Sequence, residues 1–133
     1  MEQKAEKQPR VLVIEDDPGH QRLLELYIQR AGCQCDCCFD GRTGLDKALS
    51  HEYDAIFIDI HIPEMDGFMV ATQIREQGLT VPLIATTALT VEGIRRNASK
   101  VGYTEFLQKP LGEKEICDIL QRYAFGKPLA QKS

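Results

Sequence analysis

Three short runs of apolar residues, each stopped by charged or small polar residues, set the rhythm of this chain. They are Val11-Leu12-Val13-Ile14, Ala55-Ile56-Phe57-Ile58 and the segment from Val81 to Thr86. Continuous runs of this length, rich in β-branched residues, predict strands buried on both faces, as parallel sheets require. Between them the spacing changes. After Pro18, suited to a first helical turn, Leu23, Leu24, Tyr27 and Ile28 recur at helical spacing until Gly32 ends the pattern. Further helices are predicted over about Gly41 to Ser50, Asp66 to Gln77, Val91 to Val101 and Glu113 to Phe125. The last has Ile116, Ile119, Leu120 and Tyr123 on one face. Cys33 to Phe39 and Thr104 to Gln108 complete the set of strands. Five strands alternating with five helices predict an α/β fold: a parallel sheet covered on both faces and wound with right-handed crossovers.

The composition fits such a domain, with 133 residues, 43% hydrophobic and 27% charged. Residues 10–125 are expected to form it, with polar tails at 1–9 and 126–133. A net charge of −4 has the wrong sign for holding polyanions, so direct nucleic-acid binding is not expected. No window approaches the roughly 18 apolar residues of a membrane span, and Met1 to Arg10 has no apolar signal core. Membrane contact is therefore not expected. The five cysteines are odd in number and four crowd between Cys33 and Cys38, which suits a reducing, cytoplasmic setting better than a disulfide framework.

In open α/β sheets ligands bind beyond the carboxyl ends of the strands, where strand order reverses. The predicted strands deliver Glu15, Asp16 and Asp17, then Asp59, then Thr87, then Lys109-Pro110 to that edge. Glu15, Asp16 and Asp59 would repel one another without a cation between them, and hard oxygen ligands suit Mg²⁺. A carboxylate can act as nucleophile toward phosphorus while Lys109 and the Thr87 hydroxyl hold the transferred oxygens. That chemistry marks Asp59 as a phosphate acceptor. The plain alternative is that each acid merely ends a strand or caps a helix.

With these residues in view, the chain resembles the receiver domain of two-component response regulators. Val11 to Pro18 is similar to the family's acidic pair after the first strand, and Asp59-Ile-His-Ile-Pro-Glu-Met-Asp-Gly67 to its phosphorylation signature. Thr87-Ala88 and Lys109-Pro110 complete the pattern across about residues 10 to 125. The resemblance implies a flavodoxin-like doubly wound sheet in the order 2-1-3-4-5. It further implies that Asp59 takes phosphate from a phosphohistidine, and that Asp16, Asp59 and the backbone carbonyl of His61 coordinate Mg²⁺, Glu15 helping through water. Lys109 would pair with Asp59 or a phosphoryl oxygen, across a cis bond to Pro110. Thr87 and Ala88 would meet the phosphoryl group, and Phe106 would take the aromatic switch position. Expected partners are a histidine kinase or a histidine phosphotransfer protein, with room for a weak homodimer. The segment from Asp17 to Leu23 looks similar to receivers of hybrid sensor kinases.

Two other readings use the same pattern. A haloacid dehalogenase-type phosphatase would want a second aspartate where His61 stands, and a cap that 133 residues do not provide. A flavin or nucleotide carrier would want a Gly-rich loop after the first strand, where Glu15-Asp16-Asp17 would repel phosphate. Cys33, Cys35 and Cys37 share a predicted strand face and Cys38 the other, which reads as packing rather than zinc binding. His20, His51 and the His61 side chain read as surface residues.

Overall fold

A computed structural model describes residues 8–62 and 65–125. Both expected tails, apart from residues 8 and 9, and Pro63-Glu64 of the signature lie outside the described residues. The strands are β1 (Arg10–Ile14), β2 (Gln34–Cys38), β3 (Ala55–Asp59), β4 (Leu83–Thr87) and β5 (Glu105–Gln108). The helices are α1 (Pro18–Arg30), α2 (Gly41–Ser50), α3 (Gly67–Glu76), α4 (Val91–Lys100) and α5 (Glu113–Leu120). All neighbouring strands run parallel, in the order β2-β1-β3-β4-β5. The chain reverses direction across the sheet between β1 and β3; the acid Glu15 follows β1 and Asp59 ends β3.

Strand pleating divides the core. Leu12, Ile14, Ile56, Ile58, Leu83 and Ala85 face α2, α3 and α4 through Leu45, Ala48, Val70, Ile74, Ile94 and Ala98. Val11, Val13, Ala55, Phe57 and Ile84 face α1 and α5 through Leu24, Ile28, Ile116, Ile119 and Leu120. The three apolar runs thus supply the interior strands, whose side chains interdigitate on both faces. On β2 the alternation is as expected: Cys33, Cys35 and Cys37 lie on the α1 side and Cys38 on the other.

Helix starts follow the sequence closely. Asp17, Asp40, Asp66 and Thr90 each accept a backbone N–H of the first turn of the helix that follows. Asp66 is therefore the cap of α3 rather than its first residue. β4 opens at Leu83 instead of Val81, because Pro82 has no N–H to give the ladder. The last helix also departs from expectation, since α5 stops at Leu120 and continues as a π-helical turn over Gln121–Phe125. The wider turn changes the angular phase of the side chains. Arg122 and Tyr123 both reach Glu105 of β5, at 2.8 and 2.7 Å, while Ala124 stays buried.

Arg75, near the end of α3, ties together three segments. Its guanidinium donates to the carbonyls of Leu79 (2.9 Å), Val81 (2.8 Å) and Gly102 (2.7 and 3.1 Å). Gly102 has φ 107, and a Cβ there would sit 2.7 Å from the Arg75 side chain, so glycine is required twice over. Arg75→Met should cost about 2–3 kcal/mol, since charged hydrogen bonds are lost and carbonyls are left without donors. Urea unfolding with an unchanged slope and a lowered midpoint is the expected readout.

Candidate functional site

The rim is assembled from three strand ends. Glu15 follows β1 and is 1% exposed, while Asp59 ends β3 and is 6% exposed. Lys109 follows β5, with a cis bond to Pro110 as expected. Its ammonium lies 2.8 Å from Glu15 Oε1 and 3.0 Å from Asp59 Oδ2. The other oxygens are held by the backbone: Asp17 N donates to Glu15 Oε2 at 3.0 Å and His61 N to Asp59 Oδ1 at 3.1 Å. Glu15 Oε1 is fully buried and meets the ammonium without a well-aligned hydrogen bond. Asp16 is exposed at the mouth, and one oxygen each from Glu15, Asp16 and Asp59 lies within 4.8 Å of the others.

Two carboxylates thus share one ammonium in a nearly dry place. Burial pushes the Glu15 carboxyl above the ordinary glutamate range, and the charge of Asp59 adds to this, against the adjacent Lys109 ammonium and the hydrogen bond from Asp17 N. Burial opposes the charge on Lys109 too, but its close contact with the Glu15 carboxylate and the hydrogen bond it donates to Asp59 outweigh this and raise its value. The two shifts act on stability over different pH ranges. Lys109's contribution is complete below the unfolded lysine value near 10.4 and disappears as pH rises through the folded one. Glu15's is present below the unfolded glutamate value near 4.3 and is lost as pH rises through its raised folded value. Ionised Glu15 is therefore a net cost at neutral pH. Glu15→Gln should raise the melting temperature by a few degrees at pH 7 without divalent cations, and the gain should vanish at about pH 4, below the glutamate range.

Other expected residues take different places. Asp17 does not join the cluster: it turns back to cap α1, accepting from His20 N at 2.8 Å. The His61 side chain is exposed, as expected. Thr87 is fully buried, and its Oγ1 accepts from Leu89 N at 2.9 Å, while its carbonyl accepts from Lys109 N at 2.8 Å. Ala88 is exposed beside it. Phe106 is half-buried, with the Arg95 guanidinium 4.9 Å from the ring centroid.

Two residues of α1 have roles beyond those read from sequence. His20 is not a plain surface residue: its Nδ1 lies 3.3 Å from Lys109 Nζ and 3.5 Å from Asp17 Oδ2. Gln21 is buried, and its amide donates to the carbonyls of Glu15 (3.2 Å) and Cys38 (3.0 Å), tying the ends of β1 and β2. Its place on the first turn after the acidic loop was the available signal. Beside the rim, His20, Leu23, Leu24, Tyr27, Lys109, Pro110 and Leu111 line a largely apolar groove.

The model of the response regulator receiver domain family matches residues 11–121. The chain belongs to the response regulator receiver family. The receiver is 34% identical over 122 residues to hybrid signal transduction histidine kinase L of Dictyostelium discoideum, covering 86% of this chain and 7% of that protein. It is also 34% identical over 106 residues to response regulator ArlR of Staphylococcus aureus, covering 80% of this chain and 48% of ArlR. The chain thus spans less than half the length of these relatives. Among solved structures, it is similar to the receiver domain of sensor histidine kinase PA1611 from Pseudomonas aeruginosa PAO1. The TM-score is 0.80 at 34% identity, over 88% of this chain and 98% of that one. That structure has a magnesium ion coordinated in its active site cleft. Vibrio cholerae chemotaxis protein CheY4 aligns at TM-score 0.82 and 28% identity, over 88% of this chain and 99% of that one. The receiver is a module of two-component signalling, with the flavodoxin-like fold of its relatives.

Proposed function

We propose that residues 10–125 form a phosphorelay receiver in which Asp59 accepts a phosphoryl group from a phosphohistidine. The observation that carries this reading is the Asp59 carboxylate itself, nearly buried and fixed at 3.0 Å by Lys109 and at 3.1 Å by His61 N. One carboxylate oxygen attacks phosphorus as the bond from phosphorus to the donor's imidazole nitrogen breaks. The imidazole leaves with the electron pair of that bond. Lys109 is placed to follow the charge from Asp59 to a phosphoryl oxygen. Thr87 can donate its hydroxyl proton to another, and the Ala88 backbone borders the same space. His20 holds the third side of the ammonium.

The donor set fits Mg²⁺: hard oxygens, two of them buried, share a single ammonium that leaves part of their charge uncompensated. Asp16, Asp59 and the His61 carbonyl would hold the ion, with Glu15 acting through water. Bound there, it would supply neutralisation of the transferred group's charge. A switch would follow if Thr87 moved toward the phosphoryl group and Phe106 took up the vacated space under Arg95. The donor is a histidine kinase or a histidine phosphotransfer protein, for which the groove beside Lys109 offers apolar contact.

The test is a titration by NMR with beryllofluoride, a phosphoryl mimic. Resonances around Asp59 should shift with Mg²⁺ alone, and beryllofluoride should add only when Mg²⁺ is present. Resonances that ignore Mg²⁺, or beryllofluoride binding without it, would overturn the metal assignment.

A further inference from the structure

Away from the rim, two reactive side chains touch on the outermost strand. Cys35 and Cys37 occupy alternate positions of β2, so both point to the α1 face, and their Sγ atoms are 3.9 Å apart. Both are half-buried, whereas Cys33 and Cys38 are buried, and burial pushes each of those thiols up to about 11. Asp36, between the pair, points the other way. It is held there by the Tyr53 hydroxyl at 2.6 Å and the Arg10 guanidinium at 3.2 Å, which keeps the two thiols on one side. Either sulfur could donate in the contact between them, but Cys35 Sγ also donates to the Asp36 backbone carbonyl at 3.9 Å, which keeps the proton on Cys35. One sulfur is thus the readier nucleophile and its neighbour holds a proton.

We propose that Cys35 and Cys37 form a site of reversible oxidation by hydroperoxides, closing a disulfide within β2. The Cys37 thiolate attacks one oxygen of hydrogen peroxide; the O–O bond breaks, hydroxide leaves and Cys37 becomes a sulfenic acid. That hydroxide takes the Cys35 proton, giving water. The Cys35 thiolate then attacks Cys37 Sγ, forming the S–S bond as the S–O bond breaks, and the released hydroxide recovers the proton Cys37 first gave up. Two thiols and one peroxide become one disulfide and two waters.

The strand sets the character of this bond. Alternate residues of a strand are roughly 6.6 Å apart, near the outer limit of the Cα spacing that disulfides accept. Such a bond is strained, hence oxidising and readily reduced by small thiols. β2 can pucker to form it because, among the described residues, it pairs with β1 alone and no strand confines its outer side. The adjoining Cys38 carbonyl accepts from Glu15 N and from Gln21, both at 3.0 Å. The strain therefore falls one residue from the carbonyl that seats Glu15.

The experiment treats the full chain with hydrogen peroxide and reads the intact mass, which should fall by about 2 Da and recover with dithiothreitol. Cys37→Ser should abolish the loss. Cys35→Ser should abolish it too, but leave a sulfenic acid on Cys37 that dimedone labels. Cys33→Ser and Cys117→Ser should retain the loss. A wild-type chain that keeps its mass, a loss that persists in Cys37→Ser, or dimedone labelling of Cys117 ahead of Cys37 in Cys35→Ser would overturn the proposal.

Discussion

Asp59→Asn should abolish uptake of phosphate from acetyl phosphate or from a phosphorylated donor, because an amide oxygen is too weak a nucleophile to replace a carboxylate. The variant should nonetheless fold at least as well as the wild type. Lys109 keeps Glu15 at 2.8 Å, so two buried acids around one ammonium become a balanced pair. Labelling and a thermal melt on the same sample separate the two effects. Undiminished labelling would mean that another residue is the acceptor. Lost labelling accompanied by lost structure would show instead that Asp59 is needed for folding.

Lys109→Met should have the largest effect on stability. It leaves Glu15 and Asp59, 1% and 6% exposed, with no cation between them, and removing one partner of a buried ionic group costs about 3–5 kcal/mol. The sign of the pH dependence checks the cause. Glu15 is already raised by burial and by Asp59, and Lys109→Met removes the ammonium that opposes this. The deficit should therefore be greatest at neutral pH and shrink as pH falls through the carboxylate range. Mg²⁺ should restore more stability to the variant than to the wild type. Denaturant unfolding at two pH values, with and without Mg²⁺, measures all of this; a deficit independent of both would assign the loss to packing of the lysine stem.

The contrast between Asp17 and Asp59 shows what could be read from the sequence. The interior strands were legible because burial on both faces leaves an unbroken apolar run, and Asp59 and Thr87 follow directly from where those runs end, Lys109 from the end of the last, shorter strand. Asp17 has the same chemistry as its neighbours, yet it caps α1, a choice decided by one residue of helical phase. His20 and Arg75 were illegible for another reason, and Gln21 was signalled only by its place after the acidic loop: their partners lie across the fold, on Lys109, Gly102 and Cys38. Only the winding of the sheet brings these together. The π-helical turn after Leu120 left no mark on the apolar spacing, and the residue its Arg122 and Tyr123 meet, Glu105, lies away on β5.

Gln21 gives α1 a mechanical part in the molecule. Its amide grips the carbonyls of Glu15 and Cys38 from inside, while Leu23 and Tyr27, less than two turns further along, line the groove outside. A helix is stiff over that distance, so a load on its outer face reaches the acidic loop as rotation of a single rod rather than through a chain of soft contacts. Whatever leans on the groove also tugs at the floor on which Glu15 stands.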